Sequence, residues 1–481
     1  MANKNLVLEI IILISAFTCN FLLKADKINI KDFLNDTSLS LKSTYDKLLE
    51  AHTKAIKGNR ELDYAGIDTI RLTIPPSSVS IPLPAIIDFK HTVFIITNTQ
   101  KNFTLFELYK DLTPLAISGD LNDINPNEIK DFEDKRMLLV IKDENPWVKE
   151  RNGYGNEHIR RDIIILENGI PLNKPIQPYN TVTSQPRYSY RKITEDSICI
   201  KNLTILRTKE STHKTFFIKI ENCYNIGLSN ISIITPKSEI YGDAIITLNN
   251  CAKVELDNIY INNTYSRKDK YGYGIVMNNV YDSKFSNIYG FAEWGIFGTN
   301  NLNQVSIENS DINRFDIHCY GKDVYCKNTH FQNLYNQFSS FYGQLRYKDC
   351  LFSNFVPVFI ENTYSAYTNF NVYFEDCMII VDKRRPYLMD MRHSKFSNSN
   401  IRSELCSLEW PNLTVNNINI ESSTEVDNYY LYHTVSTGTI DIDNDPNIVL
   451  NGIFGNFKTL KLSNSIVKSK EKYSFPSIKF N

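Results

Sequence analysis

Ten short segments of this 481-residue chain spell one pattern: an apolar residue, a variable one, an Asn or Asp, then alternating apolar residues. They are "IKNLTI" at Asn202, "LSNISI" at Asn230, "LDNIYI" at Asn258, "FSNIYG" at Asn287, "IENSDI" at Asn309, "CKNTHF" at Asn328, "YKDCLF" at Asp349, "FEDCMI" at Asp376, "FSNSNI" at Asn398 and "VNNINI" at Asn417. Successive Asn or Asp positions lie 19 to 29 residues apart. A unit of that length, with period-two alternation inside it, cannot bury its apolar face alone and must stack on its neighbours. The fold expected is therefore all-β, a right-handed parallel β-helix. Inward Ile, Val, Leu and Phe stack coil on coil, and the Asn at each bend hydrogen-bonds to its counterparts above and below.

Composition narrows the function classes. The 28 Tyr and 27 Phe against 18 Gly favour strands over a helical bundle. Lys and Arg number 53 and Asp and Glu 54, a net charge of -1 that offers no nucleic-acid footprint and no polybasic membrane patch. Of nine cysteines, Cys223 and Cys251 fall at one phase of the repeat and Cys350 and Cys377 at another, which predicts stacked buried thiols rather than disulfides. No CxxC pair or zinc-type His cluster occurs, so a structural zinc and other cofactors are not expected; a divalent cation such as Ca2+ held by carboxylates is conceivable, but no loop has a ligand spacing that indicates one.

The chain divides by pattern. Residues 1–25 carry Lys4, an apolar run through "IIILISAF" to Leu23, and Ala25 as a small residue before a cleavage point, which reads as a secretory signal too short to span a membrane. Glu9 interrupts the run, and "AFTC" fits a lipid-attachment box at Cys19 poorly. An exported monomer, periplasmic or at the cell surface and without an integral span after signal removal, is expected. Residues 26–190 read as an N-terminal cap and irregular first coils, 191–420 as the regular β-helix, and 421–481 as C-terminal coils and cap. Open sheet ends need covers, and Ser38 to Gly58 has helical periodicity with a Gly stop suited to capping one of them.

One stretch carries unusual chemistry. "INRFDIHCYG", Ile312 to Gly321, alternates Arg314, Asp316 and His318 with Phe315, Ile317 and Cys319, so in a strand the ionisable triplet shares one face. Aligning Ile296 of the preceding "GFAEWGIFGTNN" with Ile317 sets Glu293 beside Arg314 and Gly295 beside Asp316, a small residue that leaves room for a ligand. Trp294 either flanks that space or fills core. Aligning Gly321 with Gly343 brings Tyr342 near Tyr320 and adds Arg346, and "KDKYGYGIVMNN" supplies Tyr271 and Tyr273. Hydroxyl-bearing rings suit the apolar face and polar rim of a sugar. A basic cluster in "DKRRPYLMDMRHSKF" contributes Lys383, Arg384, Arg385, Arg392 and His393, which suit a polyanion running along the solenoid. The plainer explanations are charges kept for solubility, an Arg314–Asp316 pair worth under about 1 kcal/mol, and a solvated basic loop.

"WGIFGTNN" followed by "RFDIHCYG" resembles a paired motif of exported, pectin-lyase-like β-helix proteins of gut Bacteroidetes. Within that group the sequence is most similar to glycosaminoglycan lyases of polysaccharide lyase family 29, chiefly over Tyr271 to Gly343. The resemblance implies an acidic polysaccharide as substrate. Elimination from a uronic acid requires its carboxylate to be neutralised, a base for H5 and an acid for the leaving oxygen. Arg314 is the candidate neutraliser, His318 the base oriented by Asp316, and Tyr320 or Tyr342 the acid; Glu293, Trp294, Tyr271, Tyr273, Arg346, Arg384, Arg385, Arg392 and His393 are candidate substrate contacts. Arg392 and His393 are also reserve catalytic candidates. A glycoside hydrolase drawing its two carboxyls from Asp243, Glu293 and Asp316 is the alternative enzyme, and a non-catalytic glycan-binding surface protein the alternative from another class.

Overall fold

A computed structural model of the chain describes residues 27–35, 39–75, 79–99, 103–115, 136–148, 158–176, 185–194, 197–208, 215–238, 245–265, 272–292, 294–318, 321–332, 335–338, 341–353, 356–361, 370–381, 387–393, 412–422, 428–436, 447–450, 453–455, 459–462, 466–469 and 478–480. The signal segment, Cys19, Asp243, Tyr271, Glu293, Cys319, Tyr320, Lys383, Arg384, Arg385 and Asn398 lie outside the described residues.

The architecture is a parallel β-helix. Strands stack in register on those one coil away, so that single inward columns run the length of the spiral. One column reads Ile200, Leu228, Leu256, Phe285, Ile307, Cys326, Tyr347, Phe374 and Val415, and every member is buried. Such a column is what the sequence alternation demands: each apolar side chain covers the one below and is covered by the one above.

The repeat Asn and Asp have a conformational cause. Asn202, Asn230, Asn258, Asn287, Asn309, Asn328, Asp349, Asp376 and Asn417 all adopt left-handed backbone, with φ between 47° and 58°. Asn and Asp tolerate this geometry best among residues with a Cβ, and it turns the chain at each corner. Their amides form the expected ladder in part: Asn202 Nδ2 donates to Asp88 Oδ1, Asn230 to Asn202 and Asn258 to Asn230, at 2.8–2.9 Å. Two further ladders occur, one through Asn222, Asn250 and Asn279 and one through Asn249, Asn278 and Asn300, each step 2.9 Å. None of the six described cysteines forms a disulfide. Cys223 and Cys251 each direct Sγ to the carbonyl two residues earlier, as do Cys350 and Cys377, the equal-phase thiols read from the sequence.

The N-terminal end is covered as expected. The helix Leu41–Gly58 starts at Ser40, whose Oγ accepts from Ser43 N at 3.1 Å, and stops at Asn59 in left-handed backbone. Its buried face, Tyr45, Leu48, Ala51, His52 and Ala55, packs over the strands Thr69–Ile74 and Ile81–Pro82.

Residues 26–190 differ from a continuous run of irregular coils. Coil strands end at Tyr109; Ile86–Asp88, Val93–Thr99 and Phe103–Tyr109 pair in parallel with Ile198–Arg207 and Thr215–Glu221. Between them, Thr113–Leu115, Arg136–Val148, His158–Glu167, Ile170–Pro171 and Pro186–Lys192 form a separate five-stranded antiparallel sheet. Leu138, Val140, Ile163 and Ile165 on one of its faces pack against Tyr224 and Ala252 outside the spiral. The unbroken apolar run Met137 to Ile141 in "RMLLVIKD" departs from the alternation of the coils because both faces of this strand are covered, Met137, Leu139 and Ile141 on one side and Leu138 and Val140 on the other, but the run does not name the partners the strand finds.

Candidate functional site

Phe315 and Ile317 belong to the core of the spiral, so alternation sends Arg314, Asp316 and His318 to the opposite face, as the sequence predicts. That face is not an open trough here. Arg314 and Asp316 are both 0% exposed, and only His318, at 16%, reaches solvent. The covering groups come from neighbouring coils, in a register unlike that read from the sequence: Phe297 pairs with Phe315 and Gly298 with Asp316. The core ring stack, Phe285 on Phe297 and Phe297 on Phe315, fixes this alignment. The strand Phe315–Ile317 is too short to contain a corner marker of its own.

Gly298 does leave room beneath Asp316, and a side chain of this protein fills it. A Cβ on Gly298 would lie 2.5 Å from the Tyr273 ring, and a Cβ on Gly295 would lie 2.9 Å from the Arg314 stem. Tyr273 crosses over Gly298 and places its hydroxyl 2.7 Å from Asp316 Oδ2 and 2.6 Å from His318 Nε2. Arg314 Nε donates to Asp316 Oδ1 at 2.6 Å, its Nη2 donates to Gln337 Oε1 at 2.8 Å, and Gln337 N donates to Asp316 Oδ1 at 3.1 Å. Trp294 is partly exposed and stacks over the guanidinium, 4.2 Å from the ring centre, so it fills no core space. Burial pushes the Asp316 carboxyl above its ordinary range, against the opposing pull of Arg314, the Tyr273 hydroxyl and the Gln337 N–H.

The arrangement is a chain of polar groups, Arg314, Asp316, Tyr273 and His318, with Arg314 and Asp316 buried and solvent met at Tyr273 and His318. It suits proton movement at that rim. Arg314 is fully buried and committed to Asp316 and Gln337, so it does not meet a substrate carboxylate; this corrects its assignment as neutraliser. The central role of Tyr273 was not evident in sequence, although Gly298, a glycine inside an otherwise bulky strand, is the signal that a ring passes over that position.

The remaining candidates scatter. Gly321 pairs with Phe341 and Lys322 with Tyr342, so the glycine alignment that put Tyr342 beside Tyr320 does not hold. Tyr342 is nearly buried, at 9% exposed. Arg346 is exposed on the strand Phe341–Lys348, where its guanidinium lies over Tyr373 at 4.4 Å and its Nε donates to Gln344 Oε1 at 2.8 Å. It lines a shallow polar groove of about 460 Å³ with Tyr325, Asp323 and Ser306. The strand Tyr387–His393 carries Arg392 and His393. Ile317, Phe338, Ile360 and Met391 form one column, so His318 and Arg392, each directly following a member, occupy equivalent positions three coils apart. Among the described residues no group of three or more His, Cys, Asp or Glu gathers at metal-binding distance, and no helix is long and apolar enough to cross a membrane.

No family model matches the sequence, and no curated protein matches it. Solved structures similar to it include phage tailspikes. The tailspike protein gp49 of Pseudomonas phage LKA1 aligns over 92% of this chain and 79% of its own, with a TM-score of 0.53 and 11% identity. The tailspike gp61 of Pseudomonas phage phi297 aligns over 93% and 81%, with 0.48 and 10%. The gp54 tailspike of Acinetobacter baumannii bacteriophage AP22, solved in complex with A. baumannii capsular saccharide, aligns over 94% and 79%, with 0.46 and 10%. The likeness to the LKA1 protein is a likeness of fold.

Proposed function

We propose that this protein acts on glycans, as an exported polysaccharide lyase that opens an acidic, uronic-acid-containing chain by β-elimination at the rim formed by Tyr273 and His318. The observation that carries the reading is the phenol shared between His318 Nε2 at 2.6 Å and Asp316 Oδ2 at 2.7 Å, where the buried polar chain meets solvent. With the imidazole proton on Nδ1, the phenol hydrogen turns from Asp316 Oδ2, to which it donates in the resting site, and passes to Nε2 as the Tyr273 oxygen takes H5 of the uronate. The imidazolium so formed lies 3.8 Å from Asp316 Oδ2, which favours it. The electron pair left at C5 becomes the C4–C5 double bond as the C4–O bond breaks, and the proton returns through Tyr273 to the departing oxygen. Arg314 and Asp316 are positioning residues in this scheme. The resemblance of "WGIFGTNN" and "RFDIHCYG" to family 29 lyases supports the substrate class, and Arg392, at the equivalent position three coils on, is the proposed second contact for a polyanion lying along the spiral.

A second reading has its own observation. Arg314 and Asp316 are wholly buried and pair with each other, as in a structural clasp holding a non-catalytic glycan-binding surface. A hydrolase is less well served, because the Asp316 carboxyl accepts from Arg314, Tyr273 and the Gln337 N–H and has no free face for a water or a sugar.

The test is incubation with a panel of uronate-containing glycans. A lyase yields an unsaturated, ultraviolet-absorbing product, and Tyr273→Phe and His318→Ala each slow its formation by about 100-fold or more with the β circular dichroism unchanged. Full turnover in Tyr273→Phe sinks the mechanism. Reducing ends without the ultraviolet signal indicate hydrolysis, and binding without either product indicates the clasp.

A further inference from the structure

We propose that Ser353, His330 and Asp311 form a second active centre, a serine ester hydrolase that removes short acyl groups from saccharide hydroxyls. It lies on another face of the spiral. His330 belongs to the strand His330–Phe331, a corner away from the strand Phe315–Ile317 that leads to His318.

Three successive coils supply one residue each. Asp311 pairs with His330 in the strand register, and Ser353 N donates to Phe331 O at 3.0 Å, which sets Ser353 on the following coil. His330 Nδ1 lies 3.2 Å from Asp311 Oδ1, and His330 Nε2 lies 2.7 Å from Ser353 Oγ. The carboxylate therefore faces one ring nitrogen and the hydroxyl the other. A carboxylate at Nδ1 holds the proton there and leaves Nε2 to accept from Ser353, the relation of orienter, base and nucleophile that serine hydrolysis requires. Gln332 Nε2 donates to the same Asp311 oxygen and fixes the carboxylate. The site is open to reagents: Ser353 is exposed, and the side chains of His330 and Asp311 are 29% and 45% exposed.

The chemistry balances without any co-reactant other than water. Ser353 Oγ bonds to the ester carbonyl carbon as its proton passes to His330 Nε2. The tetrahedral adduct collapses, the carbon–oxygen bond to the sugar breaks, and His330 returns the proton to the departing alkoxide. Water, giving a proton to the same nitrogen, then attacks the acyl-Ser353, releasing the carboxylic acid and restoring the hydroxyl.

The row containing the triad names the substrate class. Tyr260 pairs with Tyr289 and Tyr289 with Asp311, so two phenol rings, 40% and 41% exposed, precede the triad in one axial line. Exposed rings set in one axial line in this way offer a platform for a pyranose face. Leu351, next after His330 and partly buried, is placed to meet a short acyl chain.

The test uses the full-length protein with a fluorophosphonate probe, p-nitrophenyl acetate and peracetylated glucose, none of which carries a uronate, so failure of the lyase reading leaves it intact. The expected results are a covalent adduct mapped by mass spectrometry to Ser353, p-nitrophenyl acetate turnover falling about 100-fold or more in Ser353→Ala and in His330→Ala with an unaltered β spectrum, and a several-fold higher KM for peracetylated glucose in Tyr289→Ala. Absence of the Ser353 adduct, or wild-type turnover in Ser353→Ala, overturns the triad. An unchanged KM in Tyr289→Ala overturns the saccharide assignment.

Discussion

At the residue scale the chemistry of the 273–318 site depends on a glycine. A Cβ at position 298 would lie 2.5 Å from the Tyr273 ring, and the ring has no slack because its hydroxyl is held by both Asp316 and His318. Gly298→Ala should cost about 1–3 kcal/mol in denaturant titrations and lower glycan turnover as far as Tyr273→Phe does; activity left intact would show that the ring position does not matter. Arg314 makes a different prediction. Replacing it with Ala strands a buried carboxylate and should cost about 3–5 kcal/mol, whereas Arg314→Met combined with Asp316→Leu should restore much of that stability while leaving the site inactive. Corner asparagines divide along another line: Asn258, with φ of 52°, should lose about 1–2 kcal/mol as Ala and noticeably less as Gly, since only Ala pays for the left-handed backbone. Alternation alone made the shared face of Arg314, Asp316 and His318 legible. Their burial was not, because the covering ring belongs to a residue more than 40 positions earlier and the register needs core ring packing that no spacing rule encodes.

Among the elements, the capping helix holds a titratable group that ties acid stability to the end of the spiral. His52 sits on its buried face, with Nδ1 2.9 Å from Pro82 O and Nε2 2.6 Å from the Tyr64 hydroxyl. Burial lowers its pKa from 6.5 to about 4. The unfolded chain therefore binds this proton first as pH falls, so the stabilisation is complete above about 6.5 and is lost as pH drops through about 4, a change on the order of 3 kcal/mol. Urea midpoints measured from pH 7 to pH 4 should fall steeply in the wild type and much less in His52→Gln. A helix at this end was legible from its period and Gly stop. The antiparallel sheet was not, because the apolar run Met137 to Ile141 marks a strand covered on both faces without naming its partners.

For the molecule as a whole, the cores predict how damage spreads. The column through Phe285 belongs to the spiral, while Met137, Leu139, Ile141, Ile164, Leu166 and Tyr188 form a separate cluster on the far face of the antiparallel sheet. Phe285→Ala should cost about 3–5 kcal/mol. Because coils contact mainly their neighbours, amide-exchange protection should fall first in the strands Ile246–Tyr265 and Gly295–Glu308 and persist in Arg136–Val148. Uniform loss of protection would mean that spiral and sheet unfold as one unit. Parallel stacking of coils was legible at nine of the ten quoted repeats, the coil of Asp376 pairing directly with that of Asn417 rather than with one marked by Asn398, because a solenoid writes the same environment again and again, whereas a site is written once.

The antiparallel sheet also imposes a delay on biosynthesis. Glu107 and its ion-pair partner Lys219 on the next coil are 112 residues apart, so the coil ending at Tyr109 leaves the ribosome with the hydrogen-bonding edge that will meet Thr215–Glu221 bare. At ordinary elongation rates the missing partner follows roughly 5 to 20 s later. Until then the nascent chain offers an adhesive β edge to any other polypeptide nearby, and a holdase or slow-codon pause over residues 110–197 would change the yield of native protein more than a surface substitution at either proposed site.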